Sequence, residues 1–182
     1  MAWVLLLQSM AVATSASANV HVIAACSNKT DCTQEFQGAL DSCASVVHVP
    51  VLPGRSWIVR PIHVTCDGQT IEFAAGVVLQ AKRGEFHKGE ERQLFTVKNR
   101  SDVTIRGGHG ATFRMWRHDY ANATLYNHSE ARHGIALYGS RNIRLDGMTV
   151  TETGGDGVYI SNILGKLGTP NYNITMCVCF CC

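Results

Sequence analysis

The stretch Gln93-Leu-Phe-Thr-Val-Lys-Asn-Arg-Ser-Asp-Val-Thr-Ile-Arg-Gly107 aligns, at a gapless offset of 40, with His133-Gly-Ile-Ala-Leu-Tyr-Gly-Ser-Arg-Asn-Ile-Arg-Leu-Asp-Gly147. Apolar residues coincide in pairs: Phe95 with Ile135, Val97 with Leu137, Val103 with Ile143 and Ile105 with Leu145. They alternate with Thr, Lys, Ala, Tyr or Arg, the period of two expected of a strand with one buried face. Each copy therefore reads as two short strands joined by a turn. A third copy opens at Asp156-Gly-Val-Tyr-Ile-Ser161, where Gly157, Val158 and Ile160 follow Gly134, Ile135 and Leu137 at an offset of 23. Its second strand is read at Asn173-Ile-Thr-Met176, offset from Asn142 by 31. A looser early copy sets Ile71 and Phe73 before Val103 and Ile105, at an offset of 32.

Constant strands with variable turns are the mark of a solenoid whose units stack only on their neighbours. No repeat carries apolar residues at i, i+3, i+4, i+7 over an eleven-residue window, and β-branched residues dominate the strands, so helical repeats are excluded. A coiled parallel sheet, a β-helix, is what remains.

In 182 residues, an apolar content of 46% suffices for one buried core, and a formal charge of +2 gives neither a basic stripe nor an acidic tail. Nucleic acid and anionic membrane are therefore not expected as partners. Residues 1–18 hold an apolar run from Trp3 to Ala13 and small residues at Ala16 and Ala18, the pattern of a secretory signal peptide cleaved after Ala18. A buried strand is the other reading of that segment. Five glycosylation sequons, at Asn28, Asn99, Asn122, Asn127 and Asn173, agree with export to the extracellular space, where a monomer is expected.

Residues 19–45 read as a first strand (Val20 to Ala25) followed by the one segment of helical period. Phe36, Ala39, Leu40 and Cys43 share a helix face, with Asp31 or Thr33 as the cap. An amphipathic helix ahead of the repeats suits the role of a lid on the first rung. From 46 to 182 the rungs follow, with strands at Val46 to Pro50, Trp57 to Val59, Ile62 to Val64, Thr70 to Phe73 and Val77 to Gln80. Lys82 to Arg92 reads as a solvated charged loop, and Arg117 to Ala131 as an insertion projecting into solvent.

Cys26, Cys32, Cys43 and Cys66 lie near the lid, an even set that reads as staples in an exported protein. Eleven residues of helix would hold Cys32 and Cys43 roughly 16 Å apart at 1.5 Å per residue, beyond the ~7 Å between Cα atoms that a disulfide tolerates. The pairings left are 26 with 32 plus 43 with 66, or 26 with 43 plus 32 with 66. The first is preferred because it ties the helix end to the first rung. Cys177, Cys179, Cys181 and Cys182 lack the paired spacing of a zinc site. The eight histidines show no metal spacing either and read as turn or surface residues. No metal and no cofactor is expected.

With lid, strands and turns in place, the chain resembles the amino-terminal part of a right-handed parallel β-helix of the pectate-lyase superfamily. Residues 31–43 and the strand run from Val46 to Phe73 resemble the entry to that fold. Residues 140–150 match the Ser-x-Asn-Ile-x-Leu-x-Gly-Met-Thr-Val pattern of polygalacturonase-like glycoside hydrolases, and Gly154-Gly-Asp156-Gly157 partly matches their Asn-Thr-Asp-Gly motif. The resemblance implies a pectin-like polysaccharide as partner and Asp156 as one catalytic carboxylate. The family's remaining catalytic residues come on later rungs. With the spacing that separates Gly157 from Asn142, the next equivalent of Gly157 after Asn173 would fall past Cys182. The chain is thus expected to be incomplete at its carboxyl end and inactive alone. The residues themselves leave other roles open, because glycoside hydrolysis needs two carboxyl groups, whereas Asp156 and Asp146 both stand in Asp-Gly turns and Gly108-His-Gly110 reads as a turn. Outward positions on the strand wall form one row of Thr96, Ala136 and Tyr159 and another of Lys98, Tyr138 and Ser161. Of these, Lys98, Tyr138 and Tyr159 are the candidates for contact with a sugar chain, since rings offer flat apolar area with a polar tip. A non-catalytic extracellular module that binds glycans or serves a structural role is the competing expectation.

Overall fold

The computed structural model describes residues 18–24, 26, 29–88 and 92–161, together with the main chain of 172–175 and 178–180. Among them are fifteen strands: β1 (Val20–Val22), β2 (Val46–Val49), β3 (Trp57–Val59), β4 (Ile62–Val64), β5 (Thr70–Phe73), β6 (Val78–Ala81), β7 (Phe95–Lys98), β8 (Thr104–Gly107), β9 (Thr112–Arg114), β10 (Ile135–Tyr138), β11 (Ile143–Asp146), β12 (Thr149–Thr151), β13 (Val158–Ser161), β14 (Tyr172–Thr175) and β15 (Val178–Phe180). Two helices join them, α1 (Thr33–Asp41) and α2 (Arg117–Tyr120). From β2 onward every third strand returns to the same sheet. The sheets run β1-β2-β5-β8-β11-β14, β13-β10-β7-β4 and β15-β12-β9-β6-β3, and all their pairings are parallel. The molecule is a β-helix-like solenoid with three strands to a coil. The two-strand repeat expected from the sequence lacks β9 and β12, which are three residues long and too short to show a period.

Register carries the core. Phe95 pairs with Ile62 on one side and Ile135 on the other, and Ile135 pairs with Val158, so these residues form one inward column. The neighbouring sheets repeat the device with Val47, Ile71, Ile105 and Leu145, and with Trp57, Leu79, Phe113 and Val150. Apart from Val158 on the last coil, these side chains are at most 1% exposed. Each such burial contributes on the order of 2 kcal/mol. The offsets of 40 and 23 hold as expected, while two others differ. Leu145 pairs with Ile174, an offset of 29 rather than 31, and Ile71 pairs with Ile105, an offset of 34 rather than 32. Each slip is an even one, which keeps the parity of the pleat.

The turns stack as faithfully as the strands. Asp102 and Asn142, one repeat apart, are both left-handed (φ 60° and 51°), and the Asn142 amide donates to the Asp102 carboxylate at 2.5 Å. Asn99 (φ 52°) and Gly139 (φ 54°) repeat the pattern. Gly107 and Gly147 pack so closely that a Cβ on Gly147 would collide with the Gly107 carbonyl.

The helical lid answers an unpaired strand edge. Its buried face, Phe36, Ala39 and Leu40, sits on the first coil, with Phe36 within 6.0–6.3 Å of the Phe73, Trp57 and Phe95 rings. The Gln37 amide then behaves as a strand residue, accepting from the His63 main-chain N–H at 3.0 Å and donating to its carbonyl at 2.8 Å. Cys32 stands at the N-cap position rather than Asp31 or Thr33, and Asp31 accepts from the Thr33 N–H at 3.1 Å. The helix ends at Asp41, leaving Cys43 outside it in a left-handed conformation (φ 53°). Disulfides join Cys26 to Cys32 and Cys43 to Cys66, with Cα separations of 5.4 and 5.5 Å.

Two segments read as solvated are in fact tied down. Lys82 and Arg60 converge on Asp31 at 2.8 and 2.9 Å, and Phe86 is buried, so the loop after β6 hugs the lid. The 117–131 insertion sends Tyr120 and Tyr126 inward. Both rings, edge-on to each other, lie against the guanidinium of Arg132, which is 1% exposed and donates to the carbonyls of Phe86 and Asn127. Arg83 meanwhile clamps Asp119 through two bonds of 2.5 and 2.7 Å. Asn122, Asn127 and Leu125 face solvent on this insertion. Asn99 is half-buried, its Oδ1 enclosed without a hydrogen-bond partner. Asn28, residues 1–17 and the side chains of Asn173 and the four terminal cysteines lie outside the described residues.

The polar contacts of the lid can be tested by substitution. Gln37→Ala strands both main-chain groups of His63 and is expected to cost about 2 kcal/mol in urea unfolding. Burial alone would raise the Asp31 carboxyl, but hydrogen bonds from Lys82 and from the Thr33 hydroxyl and N–H, with the Lys82 charge, bring it down from 3.8 to about 2. A carboxyl depressed on folding stabilises above its unfolded value. That contribution, on the order of 2 kcal/mol, is present above pH 3.8 and is lost as pH falls through about 2. Acid titration of Asp31→Asn should show a flatter profile in that window.

Candidate functional site

The outer face of the β13-β10-β7-β4 sheet holds the sequence-derived candidates. Alternation alone predicts Thr96 and Ala136 on its surface beside Tyr159. All three do occupy one row with His63, but Thr96 and Ala136 are covered, at 1% and 0% exposure. Of the upper coils only Tyr159 in that row reaches the surface, half-buried. The second row, Lys98, Tyr138 and Ser161, is half-buried throughout and in register, Tyr138 lying between the other two.

Rings gather here from three positions. Tyr138 and Tyr159 are diagonal cross-strand neighbours, within reach for aromatic side chains, with centroids 5.7 Å apart and a tilt of 54°. His133, just before β10, lies flat on Tyr159 at 4.3 Å and 5°. Gly134, the next residue, packs tightly on the core and on the following coil, since a Cβ there would strike the Val150 side chain and the Gly157 carbonyl.

Asp156 stands just ahead of β13 with its side chain 64% exposed. Its main-chain N–H donates to His133 Nδ1 at 3.0 Å, and its carboxylate Oδ2 lies 3.5 Å from the same nitrogen. A nitrogen that accepts the N–H has no proton to give the carboxylate, so the 3.5 Å contact is no ion pair. Burial lowers the His133 pKa and the Asp156 charge raises it, and the net direction is down. A neutral ring protonated on Nε2 follows, with Nδ1 pinning the turn that presents Asp156. Asp146 takes a different role, accepting from Arg144 at 3.0 Å. Gly108 to Gly110 forms the expected turn, with Gly108 seated against the main chain of Ala75.

His133, expected as a turn or surface histidine, is likewise covered, at 5% exposure. A signal existed: it opens the repeat where the earlier copy has Gln93, also buried. Beyond Gly155 the insertion brings Glu130, whose main-chain oxygen a Cβ on Gly155 would strike. Among the described residues no group of three or more His, Cys, Asp or Glu side chains could hold a metal, and no helix is long and apolar enough to cross a membrane.

Ring nitrogen chemical shifts at pH 7 should show His133 protonated on Nε2 only. Because its folded pKa lies below the unfolded 6.5, the unfolded chain binds protons first, and stability should fall as pH drops below that value. His133→Gln should remove this part of the pH dependence in thermal unfolding.

No family model matches the chain, and neither a curated protein nor a solved structure does.

Proposed function

We propose that the protein is a secreted, right-handed parallel β-helix related to polygalacturonase-like enzymes, and that it binds an acidic, pectin-like polysaccharide across Tyr138 and Tyr159 without cleaving it. The observation that carries this reading is the ring cluster. Tyr159 and Tyr138 form an aromatic surface on the outer sheet face, backed by the buried ring of His133, with Lys98 directly below Tyr138 in register. Pyranose rings present apolar C–H faces that stack on such a surface, and the cation suits a uronate carboxylate. The right hand is supported by the preference of parallel crossover connections. Export is supported by the two disulfides, which persist in oxidising compartments, and by the sequons, of which Asn122 and Asn127 are exposed.

Binding is preferred over hydrolysis because of what faces Asp156. A hydrolase sets a second carboxyl group across the scissile bond, several ångströms away. Here the group in contact with Asp156 is a neutral imidazole that orients its main chain. The hydrolase reading keeps support from the Gly154-Gly-Asp156-Gly157 motif and from the exposure of that carboxylate.

Calorimetry with galacturonate oligomers tests the proposal. Tyr159→Ala and Tyr138→Ala should each weaken binding about tenfold, a stacking contribution of about 1.4 kcal/mol, and no reducing ends should appear on incubation. Binding indifferent to both substitutions would overturn the wall. Reducing-end release abolished by Asp156→Asn would establish the hydrolase instead.

A further inference from the structure

We infer that the cavity of about 360 Å³ between the 117–131 insertion and the Gly154–Gly155 turn is a second sugar subsite, taking one pyranose ring of the glycan that lies on the tyrosine wall. This rests on the glycan-binding reading and adds to it a place, a size and a ligand chemistry.

The cavity and the wall share a border. Gly155 lines the cavity, yet a Cβ on it would stand 3.0 Å from His133 Nδ1, the ring on which Tyr159 is stacked. A chain leaving Tyr159 past Asp156 therefore meets the cavity next. Its size fits one ring rather than a chain, at the lower end of the roughly 300 to 1,000 Å³ of small-molecule sites.

The lining selects the chemistry. Arg117 donates, Glu130 accepts, His128 can do either, and Ser129, whose Oγ already accepts from Arg92 and from the Ala131 N–H, keeps its O–H to donate, around Tyr120 and the bare main chain of Gly154 and Gly155. A small anion would gain Arg117 but meet Glu130. A purely apolar ligand would desolvate both charges with no compensating bond. A polyhydroxylated ring satisfies donors and acceptors together. The insertion is held for this by the contacts of Arg132 with the Tyr120 and Tyr126 rings and by the Arg83–Asp119 clamp, so the subsite is formed before ligand arrives.

Amide NMR titration with galacturonate oligomers of one to six rings provides the test, on the wild-type chain, on Ala121→Trp and on Arg117→Ala. Ala121 is exposed and lines the cavity, so a tryptophan there fills the space from outside the core. The expected result is that Gly154 and Gly155 shift together with Tyr159. Ala121→Trp should weaken the longer oligomers about tenfold and Arg117→Ala about fivefold, with the Tyr159 shift retained. Tyr159 shifting while Gly154 and Gly155 stay still, or affinities within about twofold of wild type for both variants, would overturn the subsite and leave the wall standing. Shifts at Gly154 and Gly155 alone would support the cavity as a sugar site and overturn the wall. No shift at any of the three would overturn both.

Discussion

Main-chain hydrogen bonds between successive coils hold equivalent residues directly above one another, and every other feature of the molecule rests on them. Parallel ladders in three sheets convert a loose sequence repeat into vertical columns, such as Ile62, Phe95, Ile135 and Val158. A column is tolerant of residue identity and intolerant of parity. Aromatic, aliphatic and β-branched residues succeed one another within it, but a slip of one residue would turn every side chain outward. The two offsets that depart from the simple repeat depart by even steps for this reason.

A stack of coils has a first edge, and the lid shows how that edge is closed. Apolar contact from Phe36 fills the bore, but the decisive feature is polar. Gln37 supplies a donor and an acceptor in the spacing of a strand, the Thr33 hydroxyl accepts from the Arg60 N–H at 2.8 Å, and Gln69 reaches back to the Leu40 and Ala44 carbonyls. Asp31 gathers the lid, the loop after β6 and the turn before β4 into one charged node. On the flank, the cation of Arg132 plays a comparable part, holding two long loops against the coils through rings and carbonyls. These loops give the site its walls. A bare solenoid offers a flat face, whereas here the insertion and the Gly154–Gly155 turn enclose a concave space next to the aromatic row.

The separation of roles around Asp156 follows from the same geometry. Its own carboxylate is left open to solvent, while its main chain is gripped by His133. A residue held by its backbone and free at its side chain can present a charge to a ligand without contributing to the fold. That arrangement suits recognition as well as catalysis.

The parallel solenoid, the inward columns, the helical plug and the four-cysteine cluster at its base were all legible in the order of residues, because each is a matter of local period or spacing. That Phe95 lies against Ile135 could be read from an offset; so could the stacking of Asp102 and Asn142. The look of the outer face emerged only on folding. Thr96 and Ala136 alternate as surface residues should, yet both are buried, and His133, unremarkable in the chain, becomes the buried ring beneath Tyr159. The short strands β9 and β12 of the later coils, the docking of the 117–131 insertion and the cavity it forms were equally hidden. Period reports which way a side chain points from its own strand; what lies over it depends on residues dozens of positions away, brought there by packing that no local pattern encodes.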